Sequence, residues 1–170
     1  MKQKPLIIIL LLITCAAVGV SVWAIFFRDN TTVLVPDYAP QVEEENVEII
    51  PNDDDTKLEQ PEGGGSVSLL YSKKVEVNLQ DKTVQLLFGN PGKSNEDMLL
   101  CVAVQDTIIA QSGIIKPGNQ VKSLDLVGKA DKQLSEGTYE GTFQVYYYNQ
   151  ETGEKAIVNT EIPLEITVVK

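Results

Sequence analysis

The side chains that carry nucleophilic and acid–base chemistry occur in this sequence as residue types, without the arrangements that make them work. No histidine occurs anywhere in the 170 residues. That removes histidine-based triads, zinc hydrolases of the HExxH type and histidine-ligated redox metals. Ser112 stands beside Gly113 but not in the G-x-S-x-G elbow that exposes a nucleophile. A serine–lysine pair would need S-x-x-K spacing, and Ser123 is followed by Leu124, Asp125 and Leu126. Paired carboxylates for glycoside hydrolysis are defined by a separation in space, which the order of residues leaves open. Asn52-Asp53-Asp54-Asp55 offers the hard oxygen ligands that calcium takes. It lacks the D-x-[DN]-x-[DN]-G loop with a glutamate at the twelfth position, and it reads as a solvated charge run. No catalytic residue, cofactor-binding residue or metal ligand is assigned, and the expectation is a chain that is not an enzyme.

Binding chemistry has better candidates. Tyr146 and Tyr148 fall on the otherwise polar face of a long strand pattern, where exposed tyrosines would give rigid, amphipathic contact to a partner. The competing reading is cross-strand packing on a sheet flank. The formal net charge of -10 and a pI near 4.4 argue against nucleic acid as that partner.

The elements that would carry these residues lie in 67–170. Val75, Val77 and Leu79 alternate with Glu76, Asn78 and Gln80, Val84, Leu86 and Phe88 alternate with Thr83, Gln85 and Leu87, and Asp81-Lys82 between them predicts a hairpin. Turn residues fill 89–97, followed by an apolar run from Met98 to Val104, a break at Gln105-Asp106 and a shorter run from Thr107 to Ala110. Pro117-Gly118 marks a turn before strand-like sequence from Val121 to Leu126. Tyr139, Gly141, Phe143, Val145 and Tyr147 line one face of the longest strand. A turn at 149–153 then returns the chain with Ile162, Leu164, Ile166 and Val168 inward. Pro163 has no amide donor, which places the returning strand at an edge or at a bulge. About seven short strands and no helical period predict an all-β, immunoglobulin-like antiparallel β-sandwich. Leu134-Ser135-Glu136-Gly137-Thr138-Tyr139 has the L-x-x-G-x-Y form of a tyrosine corner. Cys101, the one cysteine of this region, reads as small core filler.

Ahead of this body the composition changes twice. Residues 28–66 hold eleven acids against Arg28 and Lys57, four prolines, and Gly63-Gly64-Gly65-Ser66 at the end. No period survives, and the expectation is a disordered acidic linker acting as a stalk. From Pro5 to Phe27 there is no charge; as a helix this stretch would extend about 35 Å across a hydrocarbon core of roughly 30 Å. Lys2 and Lys4 precede it, so the expectation is a cytoplasmic tail at 1–4, one transmembrane helix at 5–27 in contact with membrane lipid, and a C-terminal domain at 67–170 outside the membrane. Bulky residues from Trp23 to Phe27 disfavour a cleaved signal peptide. Leu12-Ile13-Thr14-Cys15 is similar to a lipobox, but twelve more uncharged residues follow Cys15, which fits apolar filler better.

The chain resembles small membrane-anchored or secreted Ig-like surface proteins of Gram-positive bacteria. The resemblance rests on Asn90-Pro91 with Ser94, on 112–119, on Leu134 through Tyr139 and on the final tyrosine-rich hairpin. It covers most of 75–168 and implies the fold, while carrying no catalytic residue onto this chain. The functional expectation is a noncatalytic, envelope-anchored structural, adhesive or protein-binding domain. The alternatives are an accessory subunit of a membrane secretion, conjugation or transport complex, and a module for cell-wall polysaccharide.

Overall fold

The computed structural model describes Thr14, residues 35–105 and residues 107–170. Its main compact unit is Val33–Lys170. The elements are β1 (Val47–Ile49), β2 (Leu70–Tyr71), β3 (Lys74–Asn78), β4 (Thr83–Asn90), β5 (Glu96–Val104), β6 (Thr107–Ile115), β7 (Asn119–Asp125), a single helical turn α1 (Ala130–Gln133), β8 (Gly137–Asn149) and β9 (Lys155–Val169).

Period-two alternation sets which residues point inward. Along β5 the even positions Met98, Leu100, Val102 and Val104 enter the core, as do Phe143, Val145 and Tyr147 of β8 and Ile162, Leu164, Ile166 and Val168 of β9. Phe88 and Phe143 meet edge to face with centroids 5.8 Å apart. Each such fully buried large side chain contributes about 1.5–3 kcal/mol. The tyrosine corner forms: the Tyr139 hydroxyl donates to the Ser135 carbonyl at 3.0 Å and accepts from the Ser135 amide at 3.2 Å.

The strands join in the order β1-β7-β4-β3-β9-β8-β5-β6, with β2 added to β4. An antiparallel bridge between Ala110 and Leu126, and the Val127 amide on the Ile109 carbonyl at 2.9 Å, bring β6 back to the end of β7. The sheet therefore curls into a nearly closed, barrel-like sandwich. This corrects the antiparallel immunoglobulin-like sandwich expected above. β3 and β9 pair in parallel, Lys74 opposite Glu165 through Asn78 opposite Val169, and one continuous mixed sheet replaces two separate ones.

A second correction concerns the acidic linker. From residue 35 onward it is laid against the body. Asp37, Glu43 and Glu48 pair with Lys155, Lys116 and Lys122, so lysines remote in sequence offset the charge expected to keep the segment extended. β1 pairs with β7, and the Leu58 amide reaches the Lys93 carbonyl at 2.9 Å.

The third correction concerns the membrane. The helix expected over 5–27 lies, apart from Thr14, outside the described residues. Among the described residues no helix is long and apolar enough to cross a membrane. The four-residue turn α1 spans about 6 Å against a hydrocarbon core of about 30 Å. The transmembrane helix, the lipid contact and the single-pass localisation are withdrawn with it.

Candidate binding site at the open edge of the sheet

Strand β8 places the two candidate tyrosines differently. Tyr148 is fully buried in a small cluster with Leu99, Cys101 and Ile114 on the outer face of the sheet. Val35 and Ala39 cover that cluster, and the Tyr148 hydroxyl donates to the Pro36 carbonyl at 3.0 Å. Burial pushes the Tyr148 phenol up to about 12. Tyr146 is half-buried against the same cluster, its hydroxyl 3.3 Å from Gln144 Oε1. The contact surface of Tyr148 is thus taken by the chain's own segment 35–39. Burial likewise pushes the Cys101 thiol up to about 12, the response of an apolar filler with no stabilised thiolate.

The residues considered for chemistry are held in structural bonds. Ser112 Oγ accepts from the Leu100 amide at 2.9 Å and donates to the Gly113 carbonyl at 2.7 Å. Ser123 Oγ accepts from Gln85 Nε2 at 3.1 Å. Asp53 accepts from the Gly92 amide at 2.5 Å, and Asp54 accepts from the Thr56 amide at 3.0 Å, which holds its carboxyl below the usual range. The first of these bonds pins the segment to the β4–β5 turn, and the second is local to the segment. Among the described residues no group of three or more Cys, Asp or Glu side chains is placed to hold a metal ion.

What the fold leaves unfilled is one margin of β9. On one side β9 pairs with β8 from Lys155 to Val168. On the other, the Lys155 amide meets the Asp37 carbonyl at 2.9 Å at one end, and β3 covers Glu165 to Val169 at the other. Between these pairings, residues 156–164 have no strand partner on that side among the described residues. The Glu165 amide points to this side, donating to the Lys73 carbonyl at 3.0 Å. By strand alternation Pro163, Glu161 and Asn159 face the same way. Pro163 therefore spends its missing donor on the open margin, as an edge position requires.

The register between β8 and β9 shifts between Tyr146 and Tyr148: Asn159 faces Tyr146 and Lys155 faces Tyr148, so three β9 residues bulge against one. At the bulge Ile157 is 104% exposed and Val158 is 69% exposed. Charged and proline residues blunt an edge, whereas two adjacent exposed aliphatics leave it adhesive. Beside the bulge a groove runs between Gly63–Gly65 and residues 155–158, with Glu96 in its wall. Glu96 heads β5 on the inward parity of Met98 and is only 5% exposed; its Oε2 has no hydrogen-bond partner. Burial, and then the charge of Asp97, raise its carboxyl above the usual range. Gly65 abuts it so closely that a Cβ there would collide with the carboxylate.

No protein-family model matches the chain, and no curated protein matches it. Among solved structures it is similar to AggA, the major subunit of aggregative adherence fimbriae type I from Escherichia coli. The identity is 10%, over 66% of this chain and 100% of that one, with a TM-score of 0.32. A likeness at that score bears on neither fold nor function. The Gram-positive and membrane-anchored features implied by the earlier resemblance are left without support.

Proposed function

We propose that this chain is a noncatalytic adhesive or structural domain that binds a protein partner along the open margin of β9. The observation that carries this reading is the bare edge over 156–164 with Ile157 and Val158 exposed at its bulge. An extended segment laid there would complete the row of main-chain hydrogen bonds and cover both aliphatic side chains. The nine bare positions extend about 30 Å, room for a strand of ordinary length. The tyrosines contribute indirectly, because Tyr148 anchors segment 35–39, which closes one end of the margin.

Site-specific photocrosslinking in the native cell tests this. A photoreactive residue at position 157 of the full chain gives a discrete crosslinked protein species that the same residue at position 122, on β7, does not. Equal or absent crosslinking at both positions overturns the reading.

A further inference from the structure

We infer that the segment received by β9 is basic, and that Glu96 accepts the ammonium or guanidinium group of one lysine or arginine in it. The inference rests on the binding reading above and adds the chemistry of the occupant.

Three observations converge. First, the Glu96 carboxylate is buried at the groove wall with Oε2 unpartnered, an arrangement that is costly unless a donor arrives. Second, the groove is negative. Lys155, the lysine in its wall, is paired with Asp37 at 3.2 Å, leaving Glu96 and Glu154 as the remaining charged groups of the lining. Third, the carboxylate lies beside the β9 bulge. A strand running along the margin can thus direct an apolar side chain over Ile157 and, on the alternate parity, a long cationic side chain into the groove toward Glu96. A bare metal ion is the weaker occupant, since one carboxylate supplies too few oxygens for a hard cation and no group of three acidic ligands is assembled among the described residues.

The test uses the full chain and a fluorescent nine-residue peptide of alternating valine and threonine with a central lysine. It is compared with the same peptide carrying norleucine or glutamate at that position. The lysine peptide is expected to bind wild type at least tenfold tighter than the norleucine peptide and to lose that advantage in Glu96→Gln. Asn159→Pro, which removes an edge amide without touching Glu96, is expected to weaken every peptide. Equal binding of lysine and norleucine peptides, still sensitive to Asn159→Pro, overturns the cation inference and leaves the edge reading standing. Binding of no peptide, or indifference to Asn159→Pro, overturns both. If sedimentation instead shows a dimer that Asn159→Pro dissociates, the occupant is a second copy and the inference fails. Should Glu96→Gln fail to fold, the ranking of the three peptides on wild type decides the matter alone.

Discussion

The hydroxyl of Tyr148 donates to the carbonyl oxygen of Pro36, 112 residues earlier in the chain. That bond ties the last long hairpin to the segment that precedes β1. Around it, Val35 and Ala39 cover Leu99, Cys101 and Ile114, a small apolar cluster on the opposite side of β5 from the main core. The acidic segment is therefore a lid over exposed sheet, fixed by a few apolar contacts and by its ion pairs.

Tyr148→Phe keeps the ring and loses the donor, so it is expected to lower stability by about 0.5–1.5 kcal/mol. Tyr148→Ala also empties the space under Val35 and Ala39 and is expected to cost about 3–5 kcal/mol. Urea melts of the two variants measure both. A Tyr148→Ala variant as stable as wild type would mean that segment 35–39 contributes nothing.

Gly113 lies directly beneath the backbone of Glu43 and Glu44, and a Cβ there would approach both within 2.7 Å. Gly113→Ala is expected to lift this segment at a cost of about 1–3 kcal/mol. Amide exchange identifies the lesion: protection of the Glu44 amide, bonded to the Ile114 carbonyl at 3.0 Å, is lost while β8 and β9 stay protected. Uniform loss of protection would show that segment and body unfold as one unit.

Glu96 gives a pH dependence of definite sign. Its carboxyl is raised in the folded protein by burial and by Asp97, so the folded state holds this proton more tightly than the unfolded chain. Its contribution to stability is complete below the ordinary glutamate value near 4.5 and is lost as the pH rises through the raised value. Glu96→Gln stays neutral, and its melting temperature is expected to match wild type at the acid end and exceed it near pH 7. A variant less stable than wild type at pH 7 would show that the carboxylate has a partner within the chain.

Much of the body is legible in the order of residues. The inward faces of β8 and β9 follow from strict alternation, the Leu134–Tyr139 pattern yields the bond from Tyr139 to Ser135, and Pro163 marks its own edge. The lid was hidden because its strand β1 buries none of its residues and so shows no apolar period, and because its ion pairs lie 73 to 118 residues away. Tyr148 misleads for the same reason: local alternation assigns it to the polar face, and what covers it is remote in sequence. Glu96 was obscured by its neighbours. It sits among turn residues, and the apolar run from Met98 hides the parity that turns it inward, since both faces of β5 are buried.

The last strand of the chain occupies the middle of the sheet, between β3 and β8. The β3–β4 hairpin and the β5–β6 pair are local in sequence and can form early, yet those halves stay unjoined along this side until the fifteen residues of β9 are in place. Closure then joins segments some ninety positions apart, the kind of distant pairing that slows folding. A chain cut before Lys155 would present two raw sheet borders, on β3 and on β8, in place of one short gap, making the absence of β9 the condition in which this sheet is most exposed to aggregation.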